Sequence, residues 1–456
     1  MSDQMRITAS SLLRSLDPSV FDPDSKRQRR MSEDSSKLST ILHWISIVIS
    51  PDAAVSLSRD VSSSRFTFYL SSTSLHDTSI TNATRLLDIL RKSLLIASTG
   101  GNQSDLEDEY LAFVTDTCWH RLQDKINNKI PHFPLVPDQA DVSTISSILE
   151  TIIGLVKAWN AWRASTGLPD EGSPKIMEMR RKLNHSQSFD TLKHCFEQVF
   201  HPLDDAGDRR QQLRRLWRCC YALMTSDFFA DVFNEKWKNY FSLETCFLYR
   251  VYRRLWRLYF YRKGINVLLY GGIRYFTLTS ITQECHPSPP DITFCWIPRD
   301  SPSTVQMVTT PEQFIFQAGQ RLGWRGDLAQ DSRFTSQAHS LWSVNETKNL
   351  NVHSIVSLVN FLYSSGIQVM ENRIGSSRRP CALCEFYTSS IRLQGLRWQC
   401  SRSSKKFRVD WSLPQMLGRT LTKDKAEKIV AEISDYAEAL TCAFLRPPLR
   451  EMEEYM

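Results

Sequence analysis

The sequence predicts an α+β protein: a mainly α-helical N-terminal region with one small β-hairpin, then a C-terminal α/β part. Three observations carry that expectation. Apolar residues recur every three or four positions in long stretches before residue 262, as in Ile145, Ile148, Leu149, Ile152, Ile153 and Val156. Two short alternating stretches, Ala53 to Leu57 and Arg65 to Leu70, interrupt the helical pattern around a polar turn. From Ile265 onward, β-branched and aromatic runs alternate with helix-like segments.

Taken in order, residues 1–34 are polar and serine-rich and read as a disordered tail. Its cluster Lys26-Arg27-Gln28-Arg29-Arg30 is of the kind that serves nuclear import. A mainly helical region follows over 35–235, and a second domain over 236–450. Helices are predicted at Ser36 to Ser50, Thr81 to Ala97, Asp105 to Asn127, Ser143 to Ala164, Ser173 to Leu183, Asp208 to Met224 and Glu244 to Arg262. The Pro-rich stretch Ile130 to Pro137 breaks the series. Ile265 to Leu278, with Gly271-Gly272 at its centre, reads as a second hairpin. Ile292 to Ile297 and Thr304 to Val308 read as strands. Thr310-Pro311-Glu312-Gln313 then opens a helix, with threonine as N-cap, proline at the first position and glutamine completing a capping box. The last helix is expected over Lys425 to Leu445.

A chain of 456 residues, 41% hydrophobic with only 16 glycines, has the composition of folded domains with buried cores. Its net charge of +7 permits a polyanionic partner without requiring one. No apolar segment behind a basic start marks a signal peptide, and no apolar run spans a bilayer, so an intracellular location, cytoplasmic or nuclear, is expected. The 11 cysteines show no disulfide rhythm and read mostly as small buried hydrophobes, with metal binding the exception to look for. No Walker loop, dinucleotide-binding glycine fingerprint or Gly-x-Ser-x-Gly elbow is present, so those enzyme classes have no support.

One constellation carries chemistry. His353 is followed 28 positions later by Cys381, within Pro380-Cys381-Ala382-Leu383-Cys384. Ile355, Leu358, Val359 and Leu362 fall at helical spacing and put His353 in a first helical turn. Ile367 to Ile374 reads as a buried strand, and Pro380 suits the first position of the next helix. Cys381 and Cys384, three apart, project from one side of that helix, whose positive end favours thiolate. Helix, strand, helix brings an imidazole and two thiols together, enough to hold a metal ion and leave one position open. Two buried cysteines and an unrelated histidine remain the plainer alternative. A structural site closed by Cys400 or another histidine is a third.

Val352-His353-Ser354-Ile355-Val356-Ser357-Leu358-Val359, Arg373-Ile374-Gly375-Ser376-Ser377 and Cys381-Ala382-Leu383-Cys384 together resemble the fungal branch of the nucleic acid/nucleotide deaminase superfamily. Members of that branch carry a His-Ala-Glu helix start and an Ile-Gly-x-Ser strand end before their Cys-x-x-Cys. The match covers roughly residues 350–415. The resemblance implies a deaminase-like three-layer α/β domain with Zn2+ as cofactor and His353, Cys381 and Cys384 as its ligands.

The sequence departs from that pattern where it matters. Ile355 stands where the family has its proton-shuttling glutamate, and Arg402 to Lys406 supplies no histidine where many relatives have one. An isoleucine moves no protons, and a positioned acid/base is worth about 10²- to 10⁴-fold in rate. Glu346, Glu371, Glu385 and Asp410 are the nearest carboxylates in sequence, and each is expected to be a solvated surface group. No catalytic residue is therefore assigned. The expected function is that of a deaminase-fold zinc-binding protein with impaired catalysis; an active deaminase using another acid/base, and a non-enzymatic interaction protein with a structural Cys/His site, are the alternatives.

Arginines interleave with aromatics at Arg214 to Arg218 and at Tyr249 to Tyr259. Arg250, Arg253, Arg254 and Arg257 cluster on one helical face, a surface suited to a nucleotide or single-stranded nucleic acid. The plainer expectation is a packed helix whose arginine heads pair with acids.

Overall fold

In a computed structural model, the description covers residues 2–13, 37–99, 104–127, 194–226, 255–280, 290–321, 342–400, 408–414 and 423–445, apart from short interruptions. The helices predicted at Ser143 to Ala164 and Ser173 to Leu183, the cluster Lys26 to Arg30, and Arg250, Arg253, Arg254 and Arg257 lie outside the described residues.

The elements run α1 (Asp3–Leu13), α2 (Lys37–Ile49), β1 (Ala53–Asp60), β2 (Arg65–Ser72), α3 (Asp77–Thr99), α4 (Ser104–Asn127) and α5 (Arg209–Met224). A π-helix (Ile265–Gly272), α6 (Ile273–Ser280), β3 (Asp291–Trp296), β4 (Ser303–Gln306), α7 (Pro311–Arg321), β5 (Thr347–Leu350) and α8 (Ser354–Ser364) follow. A 3-10 turn (Met370–Asn372), β6 (Arg373–Ser376), α9 (Ala382–Ser390), β7 (Gln399–Cys400) and α10 (Lys423–Leu445) complete the series. The class is α+β.

The chain divides into two units, one of residues 1–103 with 267–456 and the other of residues 104–266. The first holds a five-stranded mixed sheet in the order β3-β2-β1-β6-β7. β1 pairs antiparallel with β2 and β6, while β2–β3 and β6–β7 are parallel. Helices cover both faces. Phe66 and Phe68 point to one face, where Phe276 of α6 meets them edge-on with centroids 5.1 and 6.0 Å away. Tyr69, of opposite parity, packs against Phe361 of α8 on the other. Ala53 to Leu57 are buried throughout, as a central strand between two helical layers must be.

α2 crosses β6 at Gly375. A Cβ there would stand 2.3 Å from the carbonyl carbon of Leu42 and 2.5 Å from the amide nitrogen of His43. Only glycine lets the helix backbone come this close to the strand. The contact is fixed by the His43 ring, whose Nδ1 bonds the Ser376 carbonyl at 2.7 Å.

Several expectations are corrected. The hairpin expected at Ile265 to Leu278 is helical, a π-helix running into α6. Ile265, Leu268, Leu269 and Phe276 are buried at spacings that suit a helix face, and a short apolar run does not by its pattern distinguish helix from strand. Residues 3–13, expected in a disordered tail, form α1 and bury Met5, Ile7, Ala9 and Leu12. The division at 235/236 also gives way, because the first hairpin pairs with β6 and β3 and so belongs with the C-terminal part. The strand expected at Ile367 to Ile374 shrinks to β6, since Glu371 and Asn372 adopt φ of 53° and 48° and break the extended run before it.

The capping box is present as expected: Thr310 Oγ1 accepts from the Gln313 amide, and Gln313 Oε1 accepts from the Thr310 amide, both at 3.2 Å. Among the described residues, no helix is long and apolar enough to cross a membrane.

Candidate metal centre

His353, Cys381 and Cys384 meet at the N-termini of two helices. β5 and a two-residue extension deliver His353 to the N-cap of α8, with φ −68° and ψ 144°, one position before the first turn in which the sequence placed it. Its imidazole makes no capping bond and turns inward. Past β6, Ser377 ties back to the Ala53 carbonyl at 3.0 Å, and the chain re-enters helix at Cys381. Cys381 is the N-cap of α9, and Pro380 therefore precedes the cap instead of opening the helix. The Cys381 sulfur accepts from the Cys384 amide at 3.4 Å, so a helix N-terminus stabilises its thiolate form.

His353 Nδ1 lies 3.2 Å from Cys384 Sγ and 3.6 Å from Cys381 Sγ, and the two sulfurs are 3.4 Å apart. All three residues are buried, with exposures of 8%, 2% and 1% for His353, Cys381 and Cys384. Both cysteines are free thiols. A tetrahedral zinc with its usual bond lengths separates sulfur and nitrogen ligands by roughly 3.6–3.8 Å, so this triangle needs only small adjustments to hold a transition metal. Among the described residues no fourth histidine, cysteine or carboxylate joins the group. Cys400 sits in β7 opposite Ile374, apart from it.

On the far edge of the ring, His353 Nε2 faces Asp410 Oδ1 at 3.4 Å. Asp410 is positioned by main chain: the Asn351 amide donates to its carbonyl at 2.6 Å, and the Ser412 amide donates to the Asn351 carbonyl at 3.0 Å. Burial pulls the His353 pKa down, but the Asp410 carboxylate and the Cys381 sulfur outweigh it and hold the ring at about 9. Burial likewise raises Cys381, yet its bonds from Cys384 and His353 bring the thiol well below its usual value. Cys384, buried beside that thiolate, is pushed well above it. The group is buried and chemically suited to hold a metal ion.

The ligands open onto a cleft of about 100 Å3. Ile355, 5% exposed, lines it, as do Asp52, Arg378, Arg379, Arg408 and Asp410. Asp52 accepts from Ser50 Oγ at 2.7 Å, Ser72 Oγ at 2.6 Å and the Thr73 hydroxyl.

Comparison with known proteins decides little. No family model, curated protein or solved structure matches this chain. The centre stands on its own geometry.

Of the carboxylates nearest in sequence, Glu346 pairs with Lys348, Glu371 bonds Arg373 Nε at 2.6 Å and Glu385 is exposed. Asp410 alone reaches the site, and its side chain, 44% exposed, stays partly solvated as expected while it faces the imidazole. Asp52 and the arginines gave no sequence signal beyond Arg378-Arg379 preceding the Pro-Cys turn, because they come from three separate stretches of chain.

In the second unit, the Leu213, Leu216, Trp217, Cys220 and Leu223 stripe of α5 is buried. Arg214 pairs with Asp108, and Arg262 lies 3.7 Å from Glu107. Both pairs are partly exposed.

Proposed function

We propose that this chain is a deaminase-fold zinc-binding protein of the fungal deaminase branch, with its catalytic proton transfer impaired. One observation carries the reading: His353, Cys381 and Cys384 converge at two helix N-termini, and Ile355, two residues after the histidine, lines the same cleft. The mixed sheet covered on both faces supports it. A three-ligand His/Cys/Cys set suits zinc, and a zinc held there would activate water.

The chain's own residues account for the rest. Asp410 accepts from His353 Nε2–H and so directs Nδ1 toward the thiols. Ile355 offers the cleft only methyl groups where a proton carrier is needed, so turnover by the usual route falls by about 10²- to 10⁴-fold. The protein then acts inside the cell, in cytoplasm or nucleus, chiefly by binding a nucleotide.

A second reading, activity through another carboxylate, has Asp52 in the cleft in its favour. Three hydroxyl groups already occupy its oxygens, which weakens it as a base. Asp410, held behind the imidazole, is directed away from the thiols.

The test is metal stoichiometry by plasma emission on the wild type, Cys381→Ser and His353→Ala, with cytidine- and adenosine-type deamination assays alongside. One zinc per wild-type chain, lost in both variants, with turnover weak or absent, is expected. Folded wild type free of zinc would sink the metal centre, and robust turnover would overturn the impaired-enzyme reading.

A further inference from the structure

The two sulfurs of the candidate centre can bond to each other as well as to a metal. Cys381 Sγ and Cys384 Sγ are 3.4 Å apart, and both residues are free thiols. A disulfide sets its sulfurs about 2.05 Å apart, so roughly 1.4 Å remains to be closed, within the swing of two side-chain torsions. The pair sits at one end of α9, with Cys381 as its N-cap and Cys384 in its first turn, so one helix end holds both partners in place.

Access comes from one side. The exposures of 2% and 1% keep Cys381 and Cys384 from bulk solvent, yet both line the cleft of about 100 Å3. That volume admits hydrogen peroxide, which is little larger than the water molecule whose share of liquid is about 30 Å3. A bulky oxidant such as a peptide disulfide does not fit inside it. Because the group has three donors and no fourth, no further ligand side chain among the described residues covers the sulfurs.

Among the described residues no third thiol competes for the bond. Cys295 and Cys400 lie in β3 and β7, the two edge strands, outside the group. Cys118, Cys195, Cys219 and Cys220 belong to the second unit.

We propose that Cys381 and Cys384 form a peroxide-sensitive dithiol, whose oxidation to a disulfide excludes the metal. One sulfur attacks a peroxide oxygen and the O–O bond breaks. The departing hydroxide takes the thiol proton and leaves as water, and the sulfur becomes a sulfenic acid. The second sulfur then attacks the first, the S–O bond breaks, and hydroxide leaves with the second thiol proton as another water. The two thiols lose two electrons and the peroxide gains them. The product is the same whichever sulfur attacks first. Metal binding needs the sulfurs as thiolates, so the disulfide leaves His353 as the sole donor of the set. A bound metal engages the same sulfur lone pairs and slows the attack. Disulfides that form transiently in reducing compartments serve redox sensing or catalysis. The competition with zinc rests on the metal-centre reading above; the dithiol couple does not.

The full chain, stripped of metal by a chelator or loaded with zinc, is treated with hydrogen peroxide, quenched and mapped by peptide mass spectrometry. The metal-free chain is expected to lose two thiols and yield a Cys381–Cys384 disulfide. Zinc should slow this at least about tenfold, and the oxidised chain should take up no zinc until dithiothreitol restores it. Cys384→Ser should trap a dimedone-reactive sulfenic acid on Cys381, while Cys400→Ser should form the disulfide as wild type does. A metal-free wild type whose Cys381 and Cys384 stay reduced, oxidise only to sulfonic acids, or pair with other cysteines would overturn the proposal even if zinc binds. A disulfide that forms in a chain binding no zinc in either state would uphold the dithiol couple while the metal centre falls. An oxidised chain that still binds one zinc would overturn the exclusion.

Discussion

Asp410 Oδ1 stands 3.4 Å from His353 Nε2, on the edge of the imidazole opposite the nitrogen that faces both thiols. The carboxylate therefore governs which ring nitrogen carries the proton, and leaves Nδ1 free to donate its lone pair to a metal.

Asp410→Asn should weaken zinc binding about 10- to 100-fold without abolishing it, because the asparagine still orients the ring but no longer makes it more basic. Competition with a chromogenic chelator reads this directly. Unchanged affinity would show that Asp410 does not tune the centre.

On the proposed function, Ile355→Glu supplies the proton carrier that reading requires. Zinc content is expected to stay at one per chain, and turnover in the cytidine- or adenosine-type deamination assay to rise at least about 10²-fold over wild type. Burial of a carboxyl at a site only 5% exposed should cost about 1–3 kcal/mol in the metal-free protein, read by urea denaturation. A zinc-loaded variant as inactive as wild type would mean that more than one catalytic feature is absent.

Gly375→Ala should destabilise the first unit by about 2–3 kcal/mol, because the new Cβ meets backbone atoms of Leu42 and His43, which no side-chain rotation relieves. Gly366→Ala is the control. Its φ of +63° strains alanine, but nothing lies within 4 Å, so the loss should be about 1–2 kcal/mol. Urea midpoints separate the two, and equal losses would remove the close-approach explanation.

Arg6 joins Glu438, with side-chain exposures of 11% and 2%, and also meets Asp435 at 2.8 Å. Arg6→Met should cost about 3 kcal/mol by stranding a buried carboxylate, with Arg321 at 3.4 Å only a partial replacement. Adding Glu438→Gln should recover much of the loss. A neutral effect of Arg6→Met would mean that α1 is not anchored to α10 in solution.

Much of the fold was legible in local pattern. β1 and β2 follow from alternation, α7 from its capping box, and α2, α3, α8 and α10 from apolar spacing, since each of these signals resides within a few consecutive residues. The π-helix and α6 were misread because Ile265 to Leu278 has β-branched residues and a Gly-Gly pair, while burial against Phe66 and Phe68 settles its conformation. α1 was missed for a related reason. Its short polar-rich segment gains its stability from Glu438, 432 positions away in sequence.

By itself, the sequence determined the donor types and their order: one histidine with an isoleucine two residues on, a proline, and two cysteines three apart. Those are covalent facts, and they fix what chemistry is available. The tertiary structure alone decided that the three donors meet within 3.6 Å, that Asp410 stands behind the histidine, and that Arg378, Arg379 and Arg408 line the cleft. The reason is physical. Spacing along a helix sets a local direction, but the approach of residues 52, 353, 381, 408 and 410 depends on how α8, α9 and the Asp410 segment pack on one sheet. That packing is set by burial over the whole unit.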